Sequence, residues 1–132
     1  MALQYGTTLR NAQLDQVEVI TGTTAKLRMY TGGAPADCQT AASGTVLAEI
    51  TLPSDWMQNA ASGTKQKSTA AWQGTATASG TFGYFRVWDN AVSVCHAQGS
   101  LGTAGDMVTD AATVNTGQTV TVNTFTLTAG NA

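Results

Sequence analysis

The chain of 132 residues has a net charge of -2, and only 11% of its residues are charged, against about 25% in typical soluble proteins. This length suits one domain over residues 1–132 and excludes two separate cores. The six basic residues are scattered, and no apolar run approaches the roughly 18 residues of a membrane span, so neither nucleic acid nor membrane is an expected partner. Threonine, alanine and glycine number 23, 21 and 14, a composition that favours strands and turns and predicts an all-β fold.

The first predicted element is a short helix over residues 7–21. Thr7 or Thr8 can cap its start, because a hydroxyl accepts a hydrogen bond from a free backbone N–H. Gly22 can end it at a position that favours positive φ. A loose 3.6-residue period supports the helix and is formed by Leu9, Ala12, Leu14 and Val17. The end of the segment, VEVIT, alternates and fits a first strand equally well.

Ahead of this helix, residues 1–6 form a candidate N-terminal arm. It carries Leu3 and Tyr5 but has no core of its own. Free termini are usually disordered unless something holds them. We expect the arm either to bind a partner and become ordered on assembly, or to pack on the domain as a first strand.

Beyond Gly22 the apolar period changes to two residues, which predicts strands. AKLRMY places Leu27 and Met29 on one face, and TVLAEITL is a strand that ends at Pro53. YFRVWD, a tight connection at NA and a returning strand VSVCHAQG together predict a hairpin.

The last and longest predicted strand, GQTVTVNTFTLTAGN, contains a change of parity. Val120 and Val122 alternate in one phase, whereas Phe125 and Leu127 alternate in the other. A straight strand would place the two pairs on opposite faces. The pattern therefore predicts either a β-bulge near residues 123–124 or a strand that crosses between two sheets, as in a curved antiparallel β-sandwich.

The adjacent pair Cys95-His96 is the strongest candidate for chemistry, because it contains the single histidine of the chain. Neighbouring residues of a regular strand point to opposite faces, so the two side chains cannot act on each other there. One histidine and two cysteines are also too few for a zinc site of ordinary composition. We expect no catalytic residue, no metal site and no cofactor, and hence a protein that is not an enzyme.

The two cysteines bear on the compartment. The start of the chain lacks the features of a signal peptide, so we expect the protein to be made and kept in a cytosol. There Cys38 and Cys95 are expected as free thiols, although they can pair if the fold brings them together.

The tryptophans are candidate anchors. Trp56, Trp72 and Trp88 favour a core or an interface over a sugar-binding platform. A surface poor in lysine and glutamate is easily desolvated and suits permanent contact with a partner. Trp56 and Trp72 therefore join Leu3 and Tyr5 as candidate partner-binding residues.

Several segments carry a resemblance. LRNAQLDQV, AKLRMYTGG, YFRVWD, GTAGDM and the terminal GQTVTVNTFTLTAGNA together resemble a group of small structural proteins of tailed phages and prophages. The resemblance covers most of the chain, and its end motifs are the most specific part. It implies a jelly-roll-like antiparallel sandwich with a short N-terminal helix and without enzymatic activity, and it identifies no site residue.

The role implied by this resemblance is that of a capsid cement or decoration protein on the virion surface. The implied partner is the major capsid protein, after synthesis in the host cytoplasm. Separately, the low charge and the abundance of threonine and alanine suggest large contacts between copies of the chain, as a homodimer or homotrimer. Two alternatives remain open. One is a tail or head–tail connector subunit, and the other is a carbohydrate-binding module that attaches to a host.

Overall fold

A computed structural model describes residues 3–129 of the chain. Within that range the chain is mostly β, with one short N-terminal helix, as predicted. The helix is α1 (Thr7–Thr21). The strands in chain order are β1 (Lys26–Tyr30), β2 (Val46–Thr51), β3 (Thr64–Gln66), β4 (Gln73–Thr75), β5 (Gly80–Thr81), β6 (Tyr84–Trp88), β7 (Cys95–Gly102), β8 (Met107–Thr109), β9 (Thr113–Val114) and β10 (Thr119–Thr128).

The helix has the predicted bounds but not the predicted cap. The residue before it is Gly6, and no side chain caps the first turn. The expected capping by Thr7 or Thr8 is wrong, because both residues already lie inside the helix. Gly22 ends the helix at φ +82°, as predicted, and its N–H bonds to the Glu18 carbonyl at 3.1 Å. VEVIT is the last part of the helix and not a strand.

One curled sheet contains most of the strands. Its order is β2-β1-β6-β7-β8-β10-β3, β4 pairs with another part of β10, and β5 and β9 form a separate pair. All neighbours are antiparallel except β7 and β8. The Thr77 N–H bonds to the Leu47 carbonyl at 2.8 Å and Ala48 bridges Ala76, so the chain after β4 meets β2. The sheet is therefore mixed and does not divide clearly into the two antiparallel sheets of the expected sandwich.

The predicted alternation decides which side chains enter the core. Leu27 and Met29 of β1 and Phe85 and Val87 of β6 are buried on one face of the sheet. Arg28 and Arg86 lie opposite each other in register on the other face.

The change in the alternation of apolar residues along β10 corresponds to a β-bulge. Val122 pairs with Thr109 and Thr124 pairs with Val108, so Asn123 is the extra residue. Val122 and Phe125 are both buried in the core as a result. The prediction of a bulge near residues 123–124 is confirmed.

The connection between β6 and β7 is longer than the predicted turn. The strand resumes only at Cys95, and residues 89–94 form a loop. Asn90 and Ala91 form the predicted turn, in which the Val92 N–H bonds to the Asp89 carbonyl at 3.1 Å. The strand does not resume directly after this turn, because the Asp89 carboxylate also accepts hydrogen bonds from the Ser93 and Val94 amides at 2.7 and 3.1 Å.

A long loop, residues 31–45, folds over the outer face of β6 and β7. The Tyr84 hydroxyl donates to the Ser43 carbonyl at 2.6 Å, and the Gln98 side-chain amide donates to the Pro35 carbonyl at 2.8 Å. These bonds bury the second face of the sheet under the loop.

Candidate interaction surface

The helix α1 is attached to the sheet mainly through polar side chains. Arg10 donates to the Ala129 carbonyl at 3.0 Å, and Asn11 accepts from the Gly63 amide at 2.9 Å. Of the helix side chains only Leu14 and Thr21 are fully buried. The expected apolar stripe is therefore divided. Leu14 and Val17 pack against the domain, whereas Leu9 and Ala12 are exposed.

A buried lysine holds the middle of the helix. The Lys65 side chain is 1% exposed, and its Nζ lies 2.7 Å from both Asp15 Oδ1 and Glu18 Oε1. The hydrogen bond from Lys65, followed by one from the Ala60 amide, lowers the pKa of Asp15. Burial by itself would lower the pKa of Lys65, but its bonds to Asp15 and Glu18 outweigh burial and raise it. Both groups are thus charged at neutral pH.

The opposite side of α1 faces solvent and has no charged residue. At 3.6 residues per turn, this outer helix face contains Leu9, Ala12, Gln13, Gln16, Val19 and Ile20, all of them exposed. Val19 is 68% and Ile20 65% exposed. The helix thus turns its charged residues toward the sheet together with Leu14 and Val17, and leaves Leu9, Val19 and Ile20 exposed. This uncharged face with three exposed large apolar side chains is the candidate interaction surface of the described residues.

The segment before the helix adds to this apolar character. Leu3 and Tyr5 are exposed in an extended stretch that forms no strand within residues 3–6. The expected first strand is therefore not seen there, and residues 1–2 of the arm lie outside the described residues. In the described range, five of the six large exposed apolar side chains lie in this segment or on α1: Leu3, Tyr5, Leu9, Val19 and Ile20.

Trp56 and Trp72 lie in the core. Both are fully buried, with their ring centroids 5.5 Å apart. The expectation that they bind a partner is corrected, because neither ring has a face open to solvent. The sequence pattern could not distinguish the two roles, since aromatic anchors occur in cores and interfaces alike.

The outer helix face was missed at the level of sequence. VEVIT is compatible with a strand as well as with a helix, so the sequence alone does not place Val19 and Ile20 on an outer helix face. A signal was present, because Arg10, Asp15 and Glu18 share one half of a helical projection. That half faces the sheet.

Cys95 lies in a second feature, a depression of about 340 Å³ that also contains Cys38, Arg86 and Trp88. Both cysteines are free thiols. Burial, followed by a hydrogen bond with Cys38, raises the pKa of Cys95 to about 12. A nucleophilic thiol needs a lowered pKa, so this environment does not favour thiol catalysis.

His96 is the extra residue of a second irregularity. Trp88 pairs with Cys95 and Val87 pairs with Ala97, so the ladder skips His96. The strand is therefore irregular at His96, and the opposite orientation expected for the Cys95 and His96 side chains in a regular strand does not apply. Among residues 3–129, no three His, Cys, Asp or Glu side chains are grouped so as to hold a metal ion.

Helix α1 is too short and too polar to cross a membrane, and the same holds for every helix in the described range. No family model, curated protein or solved structure matches the chain.

Proposed function

We propose that the protein is a capsid cement protein of a tailed phage, which binds the outer shell of the head and stabilises it. The observation that carries this proposal is the uncharged, exposed outer helix face of α1. The resemblance of the sequence to small phage structural proteins supplies the identity of the partner. A jelly-roll-like arrangement of the strands is a finer part of the same proposal, as are the virion location and a homodimer or homotrimer on the shell.

Burial of the outer helix face supplies free energy without a large electrostatic cost. Each large aliphatic side chain that becomes fully buried contributes about 1.5–3 kcal/mol. Leu9, Val19 and Ile20 are half exposed or more, so all three can gain from burial. No charge on this face has to be desolvated. The partner surface that fits is a groove on the major capsid protein that is apolar opposite Leu9, Val19 and Ile20 and offers hydrogen-bond partners to Gln13 and Gln16.

The polar attachment of α1 favours the same role. Lys65 fixes Asp15 and Glu18 on the inner side of the helix. The outer helix face is therefore already in position before the partner arrives, which lowers the entropy lost on binding.

The test replaces Val19 and Ile20 with glutamate and measures retention on purified phage heads. Two glutamates facing an apolar groove should weaken binding at least about 100-fold, or about 2.7 kcal/mol. The matched control is Val94→Glu, which changes a half-exposed valine in the loop before β7 and should bind normally. Normal retention of the double variant, or equal loss in both proteins, would contradict the proposal, provided that both variants keep the wild-type thermal midpoint.

A further inference from the structure

Cys38 and Cys95 come from distant parts of the chain but share one depression. Cys38 lies in the loop of residues 31–45, and Cys95 is the first residue of β7. Both side chains are half-buried free thiols that line the same depression, and the proximity of Cys38 contributes to the raised pKa of Cys95. Contact between two thiols across such a sequence separation is the main requirement for a disulfide.

The backbone on both sides of Cys38 is held by a buried cation. Arg86 is 1% exposed, and its Nη2 donates to the Asp37 carbonyl at 3.2 Å and to the Thr40 carbonyl at 2.7 Å. The Asp37 carboxylate also accepts from the Thr40 amide at 2.8 Å. These hydrogen bonds therefore fix the position of the backbone at Cys38.

The Cys95 side is fixed as well. Asp89 holds the two amides that precede Cys95, and Cys95 pairs with Trp88 in the ladder. Both cysteines are therefore held against the same depression by fixed backbone.

We propose that Cys38 and Cys95 form a reversible intramolecular disulfide that ties the loop of residues 31–45 to β7 when the protein leaves a reducing environment. The oxidant is a small disulfide such as oxidised glutathione. One cysteine thiolate attacks it, forms a mixed disulfide and releases one glutathione thiolate. The second cysteine thiolate then attacks the mixed disulfide and releases the other, so two electrons pass from the protein to glutathione and both thiol protons are lost.

The environment of the pair predicts slow oxidation at neutral pH. Since the pKa of Cys95 is raised to about 12, its thiolate is scarce at pH 7, and the attacking species is the thiolate. The reaction should accelerate as pH rises from 7 to 9. The reduced form thus persists in a cytosol, and the bond forms outside it. This inference does not depend on the proposed function.

The test incubates the purified protein with oxidised glutathione at pH 8 and then measures intact mass, free thiols and thermal midpoint. We expect loss of two hydrogen atoms, a cross-linked peptide containing Cys38 and Cys95, and a monomer. The midpoint should rise by about 10 °C, because the bond closes a long loop of the unfolded chain. Dithiothreitol should reverse every change.

The single variants Cys38→Ser and Cys95→Ser cannot form the disulfide, so they show whether a rise in thermal midpoint requires it. Each variant should keep the wild-type midpoint within about 3 °C under reductant and show no rise with oxidant. Persistent glutathione adducts on the wild type, a cross-linked dimer or unreacted thiols would overturn the proposal. So would an equal oxidant-dependent rise in either variant.

Discussion

At the scale of residues, Lys65 is the side chain that sets the orientation of α1. Its ammonium group lies almost out of solvent between Glu18, which is largely buried, and Asp15, whose side chain stays 45% exposed at the edge of the helix. A charge in this position is costly to leave without a partner. The three groups therefore act as one unit that leaves Leu9, Val19 and Ile20 on the exposed side of the helix.

Replacing Lys65 with methionine should destabilise the protein by about 2–4 kcal/mol, because two carboxylates then face each other without a cation. The measurement is the free energy of unfolding in urea. The control is Arg28→Met, which removes a half-exposed ion pair with Glu49 and should cost less than about 1 kcal/mol. Equal losses in the two variants would show that Lys65 does not anchor the helix.

Asp15 makes part of this stability dependent on pH. Its pKa in the folded protein lies below the ordinary value of 3.8, so its ion pair stabilises the fold above that pH and is lost as pH falls through the folded pKa. The free energy of unfolding of wild type should exceed that of Asp15→Asn by a constant amount from pH 5 to 7. This difference should shrink below about pH 4. A difference that stays constant down to pH 2 would contradict this origin.

At the scale of elements, the bulge in β10 keeps a ten-residue strand in contact with one core. Val122 and Phe125 enter the same interior only because Asn123 is left out of the ladder. The extra residue also bends the strand. β10 can therefore pair with β4 and β8 along one part and with β3 along the other.

Deletion of Asn123 should be tolerated, at a cost of about 1–2 kcal/mol, because the shortened strand alternates regularly and keeps Val122 and Phe125 inside. Deletion of Thr121, two residues earlier, should cost more, about 2–4 kcal/mol, since Val120 and Val122 then fall on opposite faces and one of them leaves the core. Urea unfolding of the two deletion variants compares them directly. If the Asn123 deletion lowered the free energy of unfolding more than the Thr121 deletion, the bulge would not be what brings Val122 and Phe125 to the same face.

At the scale of the whole molecule, local sequence patterns predicted which face of a strand is buried, but they did not predict which distant segments of the chain contact each other. The alternation in β1 and β6 and the parity change in β10 follow from side-chain geometry and could be read directly. The burial of Lys65 against α1 and the contact of Cys38 with Cys95 depend on how distant segments meet. So does the parallel pairing of β7 with β8, and sequence spacing carries no information about such contacts.

The central claim is that α1 joins this protein to a larger shell through its outer helix face. The most direct measurement of this proposal is a reconstruction of phage particles that contain the protein. The account predicts copies of the protein across the outer head surface, with Leu9, Val19 and Ile20 against a capsid subunit. Density for the protein in the tail alone, or on the head with α1 turned toward solvent, would contradict it.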